Sequence, residues 1–348
     1  MRCIISKTAL NHIVVTAVAV IGLFLNSCHS VDEPSNSMIG NFDMLWKTID
    51  EHYCFFEYKD IDWQAVGEKY RKQALQAKGG KHLFRIMSAM LDELKDGHVN
   101  LSAPFETSYY RAWWSEYPQN YNARLVEENY LYFHYAQLGP VYYHLLTSNV
   151  GYLRVPTFET GLGDGNIDNI LASFAVASAL IIDIRDNGGG NMTNADNLIA
   201  HFIGKEICAG YISHKTGPGH NDFSEPFEMR VKPVTAGHWI WGKPVVVLTN
   251  RSTYSAANYF ATVMKSLPNV KIVGATTGGG SGMPFSAELQ CGWGVRFSSS
   301  PIYAPDGTLS EFGVEPSPGC AVDMSVADEL AGKDTILDFA ISLLTTPK

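Results

Sequence analysis

The segment Val245–Phe260, VVVLTNRSTYSAANYF, runs from a β-branched apolar stretch through a polar turn into an amphipathic helix, and it delivers Ser255 to the helix start. Ala256, Phe260, Val263, Met264 and Leu267 recur at three and four, as one helical face should. A serine there sits beside unpaired backbone N–H groups and the positive end of a helix dipole. Acyl transfer needs such surroundings, because negative charge develops on the substrate oxygen in the transition state. A helix cap would look the same, since serine is a favoured capping residue. Both readings stay open on this segment alone.

Three further segments carry usable chemistry. Leu180–Gly190, LIIDIRDNGGG, is a buried strand emptying into glycines, whose backbone can adopt φ > 0 and approach a ligand closely. Successive N–H groups in such a loop can form an anion nest. No Gly-Lys-Ser/Thr follows, so a phosphate-binding reading is poor, and a flexible turn is the plain alternative. His98, in Asp96-Gly97-His98-Val99, has an ordinary pKa suited to a general base near neutrality. Glu311, in Ser310-Glu311-Phe312-Gly313-Val314-Glu315-Pro316, is of the type that orients a catalytic imidazole. Taken singly, a lone histidine is usually structural and a loop glutamate usually solvated.

These residues need elements to hold them. From Ile39 to Leu94 the pattern is helical: Phe42, Leu45, Trp46, Ile49 and Tyr53 share one face, Trp63, Val66, Tyr70 and Ala74 another. Leu83, Ile86, Met87, Met90, Leu91 and Leu94 make the third amphipathic stripe. Short loops at Lys59-Asp60 and Gly79-Gly80 separate them, which predicts a small helical bundle. After Asp96 the chain turns to strands and loops. Strands over Asn149–Phe158, Ala179–Ile184, Val245–Leu248 and Lys271–Gly274 alternate with helices over Ile167–Ala179, about Met192–Ile203 and Ser255–Leu267. That alternation predicts an α/β core. The stretch from Ile203 to about Gly242 reads as irregular, and a helix over about Thr335–Leu344 closes the chain.

The 348 residues allow a sizeable core, and a formal net charge of −9 argues against a nucleic-acid partner. Arg2 and Lys7 precede an apolar run from Ile13 to Leu25 that ends in Leu25-Asn26-Ser27-Cys28. This is the layout of a secretory signal, too short for a comfortable membrane span. Its ending resembles a bacterial lipobox, which implies lipidation of Cys28 and a cell-envelope location, periplasmic or surface-exposed. The expected organisation is a signal peptide at 1–27, lipidated cysteine and polar tether at 28–37, helical bundle at 38–97 and α/β core at 98–348. Cys54, Cys208, Cys291 and Cys320 permit disulfides or buried thiols equally. No CxxC or HExxH spacing supports a metal site, and no cofactor is expected.

In order, the helical bundle, DGHV, a GYLRVP strand, LIIDIRDNGGG, STYSAAN and EFGVEPSP closely resemble the S41 family of serine peptidases, from about Asn41 to Leu344. That family includes the C-terminal processing proteases and the tricorn-like enzymes. The resemblance implies a ClpP/crotonase-like core of βα units, with Ser255 as nucleophile and an oxyanion hole from Gly188 or Gly189 and the N–H of Ala256. The family glutamate three residues past the serine is Asn258 here. The processing branch draws its base from a lysine in a Tyr-Gly-Lys-Gly segment, whereas this chain reads TTGGGSGM over Thr276–Met283. The tricorn-like branch uses a histidine at DGHV and a glutamate in Glu-x-Gly-Val-x-Pro, matched by His98 and Glu311. The serine preceding that histidine is Gly97 here, so a fourth member is missing.

Only about fifty residues separate His98 from Tyr152, too few for the PDZ domain of the processing branch. Tyr109, Tyr110, Trp113, Trp114, Tyr117 and Tyr121 fill that stretch, either lining a substrate groove or covering the core. The function expected is hydrolysis of protein or peptide substrates by a Ser255–His98–Glu311 triad in a membrane-anchored serine endopeptidase or carboxy-terminal peptidase. Two rivals remain: a non-catalytic peptide- or lipid-binding relative, supported by Gly97 and Asn258, and a crotonase-type acyl-CoA enzyme.

Overall fold

A computed structural model describes residues 35–346. The expected signal peptide, the lipidation site Cys28 and most of the tether lie outside these residues. The chain opens with three helices, α1 (Met38–His52), α2 (Trp63–Ala74) and α3 (Gly80–Asp92). In α3 the predicted stripe holds, with Leu83, Ile86, Met87, Met90 and Leu91 buried together with Phe84. Each such side chain contributes about 1.5–3 kcal/mol on burial. The bundle does not close on itself. Its apolar cluster runs on through Leu101, Val295 and Phe297, so the boundary expected at 97/98 passes through a shared core.

Two six-stranded sheets follow. The first is built from β3 (Ala136–Leu138), β4 (Val141–Leu145), β5 (Val150–Arg154), β6 (Ala179–Asp183), β9 (Val245–Thr249) and β10 (Val270–Gly274). Its order is β10-β9-β6-β5-β4-β3. The pairs from β10 to β5 are parallel, and β4 and β3 add antiparallel. Strands β5, β6 and β9 are buried at every position, as expected for parallel strands covered on both faces. One face carries α6 (Asp164–Ser173), α7 (Met192–Ile199) and α8 (Ala256–Lys265). The other is packed by the final helix, α10 (Thr335–Thr345), through Ile336, Leu337 and Ala340. Every residue of α8 from Ala256 to Met264 is buried, so this helix is enclosed rather than apolar on one face only.

The second sheet was not anticipated. It joins β1 (Asn100–Ala103), β2 (Glu106–Thr107), β7 (Ile207–Ile212), β8 (Phe227–Val231), β11 (Gly282–Glu288) and β12 (Gly294–Tyr303), all pairs antiparallel. The stretch read as irregular after Ile203 therefore contains β7 and β8. Short helices α4 (Ala112–Ser115), α5 (Ala123–Asn129) and α9 (Val326–Leu330) complete the described chain. The α/β core of βα units behind an N-terminal bundle is the architecture expected. Cys54, Cys208, Cys291 and Cys320 are all free thiols, which removes the disulfide alternative for them.

Candidate active site

Ser255 stands between β9 and α8 with φ +56° and ψ −122°, a conformation that L residues with side chains rarely adopt. Such strain persists only where the surroundings over-determine it. Here they do. The Ser255 N–H donates to Gly279 O (2.9 Å), the Tyr254 N–H to Asn187 O (2.9 Å), and the Gly278 N–H to Thr253 O (2.7 Å). The hydroxyl makes no capping bond to the helix. Instead Ser255 Oγ lies 3.0 Å from His98 Nε2, across 157 residues of sequence. The capping alternative is thereby set aside.

His98 is buried at the junction of α3 and β1. Burial pushes its pKa down to about 4; the Asp96 carboxylate opposes this, while Arg296 and Lys59 add to it. The neutral ring is thus the resting form near neutrality, which a base requires. Asp96 is fixed from three directions. Its Oδ1 accepts the His98 backbone N–H (2.8 Å), and its Oδ2 accepts Tyr53 Oη–H (3.0 Å) and Ser298 Oγ–H (2.9 Å).

Glu311 is buried nearby, but the expected bond to the imidazole is not formed. Its Oε1 pairs with Lys59 Nζ at 2.8 Å and its Oε2 accepts the Ser281 N–H at 2.8 Å. Among the described residues His98 Nδ1 makes no hydrogen bond of ordinary geometry, although the Gly282 carbonyl beside it favours the charged ring. Residue 97, where the resemblance led one to expect a serine, is glycine here. A Cβ on Gly97 would meet Trp113 Nε1 at 2.5 Å and Tyr254 Oη at 2.9 Å. Trp113 stacks on Tyr254 (centroids 4.1 Å apart), which in turn meets the His98 ring edge-on at 4.9 Å. Aromatic rings therefore occupy the position where that serine would stand.

The glycine loop is held by charges sealed in the core. Arg185 bonds both Asp183 at the end of β6 and Asp334 at the N-cap of α10, all three side chains being inaccessible to solvent. Asn187 accepts the Gly189 N–H on its side chain (2.9 Å) and donates to Val155 O (3.0 Å). The Gly189 N–H is therefore engaged within the loop, which distinguishes it from Gly188, the other glycine considered as an oxyanion donor. Gly189 is needed for contact: with φ +100°, a Cβ there would lie 2.8 Å from both Ser255 Cβ and Ala256 N. The N–H groups of Gly188 and Ala256 have no acceptor among the described residues.

Asn258, the departure from the family glutamate, is structural glue. Its side chain donates to Ser310 Oγ (3.0 Å) and accepts from Thr277 Oγ1 (2.6 Å), which ties α8 to the loop carrying Glu311. The aromatic cluster divides. Tyr109, Tyr110, Trp113 and Trp114 line a cavity of about 550 Å³ together with His98 and Ser255. Tyr117 lies under Arg251 and Tyr121 against Arg185, so these two cover the framework. Lys59 and Arg296 were missed from sequence. No spacing marks either, for each reaches the site only through tertiary packing. Among the described residues no group of three or more His, Cys, Asp or Glu is disposed to hold a metal ion.

The fold and the Ser255–His98 contact can be set beside known proteins. The model of peptidase family S41 matches residues 149–317 and that of the tricorn protease C1 domain residues 34–92. A crystal structure of a candidate peptidase from Parabacteroides merdae ATCC 43184 is 40% identical with TM-score 0.85, covering 90% of this chain and 98% of its own. Carboxy-terminal processing protease CtpA of Bacillus subtilis (strain 168) is 27% identical over 178 residues, 51% of this chain and 36% of CtpA. The tricorn protease of Thermoplasma acidophilum is 24% identical over 292 residues, 82% of this chain and 23% of that protein. The chain thus spans about a third or less of the length of these curated relatives. It belongs to peptidase family S41.

Proposed function

We propose that the protein is a serine peptidase acting on protein or peptide substrates, with Ser255 as nucleophile and His98 as general base. The observation that carries this is the 3.0 Å contact between His98 Nε2 and a Ser255 Oγ that leaves its helix uncapped. In the acylation step the hydroxyl oxygen bonds to the scissile carbonyl carbon while its proton passes to Nε2. The imidazolium then returns that proton to the leaving amine, and a water repeats the sequence on the acyl-enzyme. Asp96 is the carboxylate that most favours the imidazolium. Glu311 makes no contact with the ring and pairs with Lys59 instead.

The N–H groups of Gly188 and Ala256 are the proposed oxyanion donors, since both are free of protein acceptors. Loss of one such donor typically lowers the rate about 10²–10³-fold. The layout of residues 1–37 supports export and lipidation at Cys28, placing the enzyme on a bacterial membrane in the cell envelope. A fluorophosphonate probe tests the central claim. Wild type should label at Ser255, with Ser255→Ala and His98→Ala unlabelled and Ser255→Ala unable to cleave unfolded protein substrates. Equal labelling of wild type and His98→Ala would overturn the dyad, and no labelling of wild type would favour a non-catalytic binding role.

A further inference from the structure

Ser255 is shared by the walls of two cavities. One, of about 300 Å³, is lined on its far side by Asn258, Tyr259, Thr262 and Ala304; the other is the cavity of about 550 Å³ beneath Trp113 and Trp114. Arg296 belongs to both walls. It stands on β12, in register with Asn100 of β1 and Ser286 of β11.

Its surroundings set it apart from most arginines of the chain. Arg71, Arg124, Arg154, Arg185 and Arg230 each pair with a carboxylate, and Arg251 donates to the carbonyls of Trp113 and Thr277. Arg296 is exposed to solvent and has no polar partner among the described residues. It is also the one charged residue lining the smaller cavity, and in the larger it joins Arg111 against Glu159 alone. On a chain of formal net charge −9, the cleft at the nucleophile is positive. That charge works against the base: Arg296 helps depress His98, so in the free protein it opposes proton transfer from Ser255. An exposed guanidinium on the walls of both cavities beside the nucleophile, with no carboxylate of the fold paired to it, is placed to meet an anionic group of a ligand.

We infer that Arg296 binds a carboxylate carried by the substrate within a few residues of the scissile bond, either the terminal carboxylate or an Asp or Glu side chain. The inference rests on Ser255 being the nucleophile. Pairing with the guanidinium cancels the charge that opposes the imidazolium, so recognition of an acidic substrate also strengthens the base. Neutral peptides of the same length fill the cleft without this benefit.

The test uses matched peptides spanning one cleavage site: free acid against C-terminal amide, and Glu against Gln at each position beside the scissile bond. Wild type should prefer the charged member of one pair by roughly 10- to 100-fold in kcat/KM, the range for a charge-assisted hydrogen bond. The pair that discriminates tells the terminal from the side-chain carboxylate. In Arg296→Met the ratio should fall below about 3-fold, and in Arg296→Lys it should be intermediate. Equal use of all pairs by wild type, or an unchanged preference in Arg296→Met, overturns the inference. Fluorescence anisotropy of the same peptides on Ser255→Ala reads recognition without turnover. A carboxylate preference there that Ser255→Ala/Arg296→Met lacks upholds Arg296 even if wild type cleaves nothing, which would overturn the nucleophile alone.

Discussion

Lys59 Nζ lies 2.8 Å from Glu311 Oε1, and both side chains are almost wholly shielded from solvent. Lys59 belongs to the loop between α1 and α2, whereas Glu311 follows β12, so the pair bridges the helical bundle and the strands around the nucleophile. The same ammonium sits 3.6 Å from Asp96 and donates to the carbonyls of Leu94 and Lys95, each at 3.3 Å. Burial opposes its charge, but Asp96 and Glu311 outweigh that and hold its pKa above the ordinary lysine value. One cation thus serves two buried carboxylates. Burial and the neighbouring Asp96 push Glu311 up, which makes it the member that takes a proton first.

Lys59→Met should therefore destabilise the fold by about 3–5 kcal/mol, the usual effect of stranding a buried charge. The pH dependence has a definite sign. Glu311 already lies above its unfolded value, and losing the ammonium raises it further, so stability is lost as pH rises through its folded pKa. The deficit should be larger at pH 8 than at pH 5, and Lys59→Arg should recover most of it. Urea denaturation of the three proteins at both pH values checks this. An equal deficit at both would show that the ammonium does not neutralise the cluster.

The pH–rate profile separates His98 from Glu311. The ring must be neutral to accept the Ser255 proton, and burial depresses it to about 4. The acid limb of kcat/KM should lie well below the ordinary histidine value of about 6.5. Glu311 is raised to about 7, so a limb there would instead report that activity needs its ionised form. Because Glu311 makes no contact with the ring, the profile should be flat through pH 7 and fall only toward pH 4–5. Glu311→Gln should leave the limb's position unchanged if His98 sets it.

Restoring the serine at position 97 should impair the enzyme. A side chain there displaces Trp113, which packs against Tyr254 and whose carbonyl accepts a bond from Arg251. Gly97→Ser should lose about 1–3 kcal/mol of stability by overpacking. Truncating Trp113 to Ala in the same chain should relieve part of that loss, giving a non-additive double-mutant cycle. Additive effects would mean that the two positions do not compete for space.

The parts of the molecule most legible in sequence are those where chain-local pattern and tertiary demand coincide. The fully buried β6 and β9 read as apolar runs, and α3 reads from its stripe. Ser255 and His98, each legible at an element junction within a specific motif, lie 3.0 Å apart in the fold although distant in sequence. The β11–β12 hairpin escaped for a physical reason. β12 buries Ser298 and Ser300 beside Val295 and Phe297, so hydropathy does not alternate along it, and β11 carries Pro284. Lys59 had no local mark at all. The position of Glu311 was legible but its partner was not, since a carboxylate bonds the nearest available donor, and Lys59 and the Ser281 N–H arrive by folding.

The glycine loop yields the last contrast. Gly188 and Gly189 are adjacent, yet they should respond differently to a methyl group. A Cβ on Gly188 meets nothing within 4 Å. On Gly189 it would press on Tyr254 O at 2.7 Å and on Ser255 Cβ at 2.8 Å, in a backbone of φ +100° that alanine disfavours. Gly188→Ala should shift the thermal midpoint by no more than a degree or so, in line with surface substitutions of about 0.5 kcal/mol or less. Gly189→Ala should lose at least about 1–3 kcal/mol through strain and should lose fluorophosphonate labelling, because the clash falls on the nucleophile turn. If both variants melt alike and label alike, Gly189 does not brace Ser255, and the strained φ at that serine is held by the backbone bonds that tie its turn to Asn187, Gly278 and Gly279.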